Sequence, residues 1–307
     1  MDHWPGHRPR WRWHGEVQRI APHPATPTQI RSVMYEIGTP GSLEASDWFD
    51  ELALDPEAHP VAMGTRALGD RPWLVADGHR DHELAIKNEL LASRRDQVLY
   101  ATEHSVEAAT ELARLVDAPA APAGMHPIER AARSVQEDLC LLQRLPTGWH
   151  LDASCLCAPT RWHLQEKVGQ HIAVVHGPVR GYDERITTKV DQLFDRLTDR
   201  PVWRRNWFLM TDTTLFQPDR AEHETLIPSG QVLDDIYIRS ERQTLRRVID
   251  DWIVFTIRVQ QESLRQLLTT DARRLKFVDW VANVSPDFGV RRHLTDPQRA
   301  ELLAGLT

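Results

Sequence analysis

"DDIYIRSERQTLRRVIDDWIVFTIRVQ", Asp234 to Gln260, is the stretch that decides the fold. Its two ends, "DDIYIRSERQTL" and "DWIVFTIRVQ", are rich in Ile, Val, Trp, Phe and Thr and read as antiparallel strands. "RRVIDD" between them is a hairpin-sized connection. In the first strand Tyr237, Arg239, Glu241, Gln243 and Leu245 share one face, and Ile236, Ile238, Ser240, Arg242 and Thr244 share the other. An Arg-Glu-Gln row makes a poor core and a good pocket wall. A carboxylate there can receive an amine or take part in proton transfer, with the arginine setting its pKa. The same row also reads as a solvated cross-strand ladder, and the residues alone leave both readings open.

Working outward, "PVWRRNWFLMTD" (201–212) is a third strand of the same composition, and "GWHLDASCLCAP" (148–159) a fourth. In the latter Trp149, Leu151, Ala153 and Cys155 alternate with His150, Asp152 and Ser154. Helices are expected within Arg66–Thr110, over "SVEAATELARLVDA" (105–118), and from Pro127 to Pro146. Further helices are expected from Thr160 to Gln170, with Thr160 as N-cap, and over "DERITTKVDQLFDRLTD" (183–199). In the first of these, Leu84, Lys87, Leu91, Arg94 and Val98 form the helical stripe. "APAAPAGMHP" (118–127) is a linker. Helices in front and strands behind make an α+β fold rather than an alternating one. Residues 1–30, dense in Pro, His, Trp and Arg, read as an extension, and 31–307 as a single domain.

The 307 residues are 41% hydrophobic and 26% charged, with a net charge of -7. That balance supports a soluble globular protein and excludes general nucleic-acid binding, which needs a cationic surplus. No apolar run approaches a membrane span, and no apolar core follows the cationic N-terminus, so a cytoplasmic location is expected. Walker, Gly-x-Gly-x-x-Gly, Gly-x-Ser-x-Gly and His-Glu-x-x-His motifs are all missing, which leaves metal or cofactor chemistry. Cys140, Cys155 and Cys157 read first as reduced buried thiols. A zinc site completed by His150 or His163 is the less favoured alternative.

Three histidines lie in "RWHLQEKVGQHIAVVHGPVRGYDERI" (161–186). His163 and His171 read as surface or capping residues. His176 ends the apolar run "IAVV" and precedes Gly177-Pro178, a rigid corner where a neutral imidazole suits iron or zinc. A hydrogen-bonded core histidine would look the same.

Several segments, in order, resemble the bacterial heme-dependent oxidative N-demethylases. They are "MGTRAL…W" (63–73), "VQEDLCLLQR", "WHLDASCLCAPTRWHLQEKVGQHIAVVHGPVRGY", "PVWRRNW", "LFQP", "RSERQTLRR" and "FTIR", covering about residues 60 to 260. The resemblance implies a heme b protein with a PAS-like antiparallel sheet and surrounding helices that form a heme pocket. It implies a heme-dependent monooxygenase that uses O2 to demethylate a small secondary amine such as dimethylamine, releasing formaldehyde. Electrons would come from a separate NAD(P)H-dependent flavin and iron-sulfur reductase.

Carried onto this chain, the family pattern makes His176 the iron ligand, with Tyr182, Asn206 and Trp207 as heme or pocket contacts. A neutral histidine ligand leaves the opposite side of the iron open to O2. Glu241 is the expected partner of the amine, with Arg239 tuning it or hydrogen-bonding to bound oxygen. Trp207 also offers a face to a cation. Where the family reads Pro-Val-Pro after the histidine, this chain has Arg180 in place of the second proline, which puts the substrate more in doubt than the heme. The rival reading of the same heme fold is a gas sensor without turnover.

Overall fold

The structure is a computed structural model and describes residues 47–56, 64–176, 184–219 and 232–306. Residues 1–30, Arg180 and Tyr182 lie outside the described residues. Seven strands are formed: β1 (Arg66–Ala67), β2 (Leu99–Tyr100), β3 (Asp138–Leu145), β4 (Gly148–Cys155), β5 (Val202–Met210), β6 (Tyr237–Ile249) and β7 (Trp252–Ser263). They make one antiparallel sheet in the order β1-β5-β6-β7-β3-β4-β2. The β6–β7 hairpin is its centre. "RRVI" belongs to β6, so only Asp250 and Asp251 turn between Ile249 and its partner Trp252.

The helices are α1 (Arg80–Ser93), α2 (Arg95–Val98), α3 (Val106–Leu115), α4 (Pro127–Ala132), α5 (Ile172–His176) and α6 (Glu184–Asp195). After them come α7 (Val232–Asp235), α8 (Leu264–Leu267), α9 (Asp271–Asn283), α10 (Pro286–Arg291) and α11 (Asp296–Leu306). The α+β expectation holds, but its layout differs. Strands β3 and β4 sit inside the sheet rather than behind the helices, and the chain after β7 is helical. These last helices pack on Trp207, Leu209 and Ile238 through Phe277, Trp280, Leu302 and others.

Two expected helices are not formed as read. The one begun by Pro127 stops at Ala132, and "DLCLLQRL" becomes β3, paired on both edges with β4 and β7. Asp138 to Leu142 are buried on both faces, so the run lacks the alternation that marks a half-exposed strand. Where the helix gives way, the buried Lys87 ammonium donates to the carbonyls of Val135, Gln136 and Glu137. That satisfies acceptors which neither helix nor strand uses.

The segment from Thr160 to Gln170 holds only a short 3-10 turn, Leu164–Glu166. Arg161 has φ 63°, and Thr160 pairs with Gln217 instead of capping a helix.

Direct strand partners share a face, so the register assigns both sides of the sheet. Asn206, Glu241 and Val259 lie in one row, flanked by Arg204, Gln243 and Ile257 and by Phe208, Arg239 and Gln261. This Glu241 face carries α5, α6 and the segments around Leu164 and Leu215. Ile172, Val190 and Phe194 pack there on Leu142, Trp149, Leu245 and Ile253. The opposite face, named here for Arg258, carries α1, α3 and α4 at one end and the C-terminal helices at the other.

Candidate functional site

β6 holds its expected alternation, and the consequence is burial rather than a solvated ladder. Arg239, Glu241 and Gln243 are 0%, 6% and 6% exposed. The Arg239 guanidinium donates through Nε to Thr160 Oγ1 at 2.9 Å and through Nη1 to Gln261 Oε1 and the Thr214 carbonyl. Its Nη2 donates to the carbonyls of Ala158, Pro159 and Leu215. All five N–H donors are thereby committed, tying two crossing loops to the sheet. Burial pushes this guanidinium down to about 10, against the pull of Glu241 and Asp138.

Glu241 receives three hydrogen bonds from the described residues. Thr160 Oγ1 donates to Oε1 at 2.7 Å, while Gln243 Nε2 and Asn206 Nδ2 donate to Oε2 at 2.8 and 3.3 Å. All three described partners are uncharged. Each is held from behind by an arginine: Arg239 on Thr160, Arg204 Nε on Gln243 Oε1 at 2.6 Å, and Arg292 Nη1 on Asn206 Oδ1. Arg292 sits at the free edge of β5, where its carbonyl accepts from Leu209 N–H and its Nη1 also reaches the Trp207 carbonyl. Burial and the neighbouring Arg204 push it down to about 9.

The structure therefore brings together Arg239, Glu241 and Asn206 among the expected residues. It sets Trp207 on the opposite face, fully buried against Trp280 at 4.6 Å, with Arg292 already over its ring at 5.0 Å. His176 ends α5, whose first residue Ile172 packs on the Glu241 face; the side chain of His176 is outside the described residues. Of the other histidines, His171 Nδ1 accepts from Ala173 N–H at the start of α5, and His163 Nε2 meets Asp219 at 2.7 Å. Both keep capping or surface roles.

A model of the family described as haem-dependent oxidative N-demethylase, alpha subunit-like, matches residues 116–290, more than half of the chain. The chain belongs to this family. For an N-demethylase-like protein the geometry fits a heme in two respects. α5, which ends at His176, packs Ile172 and Val175 into an apolar cluster on the sheet, and Arg292 Nε is a buried donor with no hydrogen-bond partner among the described residues. A histidine ligand and cationic donors for propionates are what a heme requires of its protein.

The zinc alternative loses its geometry in this demethylase-like chain. A bulge at Asp152 shifts the β3–β4 register from Leu141↔Ala153 to Leu142↔Leu151, so Trp149 and Leu151 face the Glu241 side and Ala153 and Cys155 the other. Cys140 pairs with Ser154 on the Glu241 face, one residue out of phase with Cys155. Cys155 and Cys157 have Sγ atoms 3.9 Å apart, and all three cysteines are free and buried. Burial pushes the Cys140 thiol up to about 12, and the bond to Cys155 with burial raises Cys157 too. Among the described residues no group of three or more His, Cys, Asp or Glu is placed to hold a metal, and no helix is long and apolar enough to cross a membrane.

Sequence reasoning missed Thr160, Arg204 and Arg292. "CAPTRW" carries a signal for the first, since a threonine after Pro159 in a matched family motif is placed by a rigid corner. Arg292 lies beyond the matched region and carries none.

Proposed function

We propose that this chain is the heme-binding oxygenase subunit of an oxidative N-demethylase acting on a small secondary amine of the dimethylamine type. The sheet is read as a PAS-like heme-binding core within one domain over 31–307, with His176 as iron ligand. Tyr182, Asn206 and Trp207 are read as residues around the pocket, Trp207 from behind the sheet. The overall change is amine plus O2, two electrons and two protons giving methylamine, formaldehyde and water. The electrons come from a separate NAD(P)H-dependent flavin and iron-sulfur reductase. A bound heme supplies the dioxygen reduction and the oxidation of the N-methyl C–H bond.

The observation that carries this reading is Glu241, a buried carboxylate whose donors among the described residues are all neutral, on the face against which α5 packs. An alkylammonium entering an apolar site needs one negative partner. Glu241 accepts its N–H, orients the N-methyl group, and, when the carbinolamine collapses, takes the hydroxyl proton as C=O forms and passes it to the nitrogen as the C–N bond breaks. Arg239, with every donor committed, acts on Glu241 through Thr160.

The test begins with the absorption spectrum of purified or hemin-reconstituted protein, where a Soret band is expected and its absence ends the reading. His176→Ala should then weaken heme binding strongly; unchanged histidine ligation would move the iron ligand elsewhere. With reductant and O2, dimethylamine should yield formaldehyde. Bound heme without product across a panel of methylamines would favour gas sensing.

A further inference from the structure

Anchoring an amine needs one carboxylate, yet the surroundings of Glu241 are organised well beyond that. Three chains converge on it: Arg239 to Thr160, Arg204 to Gln243, and Arg292 to Asn206. A guanidinium donates and cannot accept, so each arginine settles the orientation of the group in front of it. Bound by Arg239 Nε, the Thr160 oxygen has its own hydrogen free to turn toward Glu241 Oε1. With their oxygens facing Arg204 and Arg292, the Gln243 and Asn206 amides point NH2 groups at Oε2. Neither amide can flip without setting an NH2 group against a guanidinium.

The count of acceptor positions gives this arrangement a consequence. A carboxylate offers about four, two on each oxygen. Gln243 and Asn206 occupy Oε2 and Thr160 occupies one position on Oε1, so among the described residues a single position on Oε1 remains. We propose that Thr160, Gln243 and Asn206 are positioning residues, each oriented by its arginine, that fix Glu241 as a carboxylate with one open acceptor on Oε1.

A direct arginine–Glu241 pair would fill that position and cancel the charge. Held at one remove, the arginines polarise the bridging hydrogen bonds and leave the carboxylate available to a cation. The proposal rests on Glu241 as the amine anchor and adds who holds it. Thr160 is the most telling of the three because it shares Oε1 with the ligand.

Thr160→Val keeps the side chain's shape and removes the hydroxyl, while Thr160→Ser keeps the hydroxyl and removes a methyl. Binding of dimethylammonium chloride to the heme-loaded full chain is followed by titration calorimetry, with the Soret spectrum and far-UV dichroism as checks on the fold. The valine variant should weaken binding roughly tenfold, for one lost charge-assisted hydrogen bond, and the serine variant should stay within about twofold of the parent. Normal binding in Thr160→Val overturns the proposal. So does the reverse pattern, Ser impaired and Val normal, which marks a space-filling role. Glu241→Gln separates the layers. Loss of binding there with none in Thr160→Val sinks only the positioning chain, whereas intact binding in Glu241→Gln sinks the amine anchor itself.

Discussion

The two faces of the sheet bury charge in opposite ways. On the Arg258 face, opposite charges touch. Arg258 Nη2 lies 2.5 Å from Asp77 and Nη1 2.8 Å from Glu83, with side chains 1%, 3% and 4% exposed. Gln136 Nε2 donates to both carboxylates. Arg205 meets Glu51 at 2.7 Å beside Ser240 and Gln260. Burial pushes the Asp77 carboxyl up, but Arg258, Gln136 and the His79 N–H outweigh it and hold it below its ordinary value. On the Glu241 face the carboxylate meets neutral donors, and the arginines stand behind them. A closed pair has no charge left to offer a ligand; an anion held at one remove does. That difference separates a structural network from a site.

The largest expected effect tests the closed side. Arg258→Met leaves Asp77 and Glu83 buried without their cation, and should lower unfolding stability by roughly 3–5 kcal/mol in denaturant titration. Glu241→Gln should reverse the balance. It loses roughly a hundredfold or more in kcat/KM for dimethylamine. Its stability cost should be smaller, roughly 1–2 kcal/mol, for turning an amide toward existing donors. If the two variants destabilised equally, the contrast between the faces would be lost.

Glu262 breaks the pattern from within the Arg258 face. It is 4% exposed, its Oε2 is buried with no hydrogen-bond partner among the described residues, and burial with nearby Asp77 pushes its carboxyl up from 4.5 to about 7. The folded chain then binds a proton that the unfolded chain has released, so stability is highest below about pH 4.5 from this group and declines as pH rises toward 7. Glu262→Gln should remove that slope and raise stability at pH 8 by up to about 3 kcal/mol, read from urea midpoints at several pH values. Equal slopes in parent and variant would show that the group is satisfied.

How much of this was legible follows from the period of each segment. β6 is marked as a strand by its flanking β-formers and runs without a bulge from Tyr237 to Arg247, so Arg239, Glu241 and Gln243 share the face that period two assigns them. β3 is buried on both faces and has no alternation to show, so its apolar run was read as a continued helix. The 160–170 segment carried helical spacing, but its backbone is set by tertiary bonds: Thr160 to Glu241 and Arg239, and Arg161 N–H to the Gln217 carbonyl. A bulge at Asp152 moved half of β4 to the other face, which spacing alone does not announce. The residue types of the site were visible along β5 and β6. The groups that orient them were not, because Thr160 and Arg292 approach from 81 and 86 positions away in their bonds to Glu241 and Asn206.

The smallest expected effect sharpens the comparison by taking burial away. Arg265 holds Asp234 through both Nε and Nη2, the latter at 2.7 Å, a two-pronged contact joining α8 to α7. As a pairing of atoms it is at least as good as Arg258 with Asp77, yet its side chains are 60% and 42% exposed. The Arg265 hydrogen bond lowers the Asp234 carboxyl, but water and salt compete for both charges. Asp234→Asn should leave the urea midpoint within error of the parent, at low salt and at roughly 1 M salt alike, where screening reaches about 3 Å. Asp77→Asn, which leaves Arg258 buried with one partner fewer, should lower it clearly under both conditions. Similar losses for the two aspartates would mean that contact geometry governs what a charge pair is worth here. Unequal losses would mean that access to water governs it, the same condition that the proposed amine anchor at Glu241 relies on.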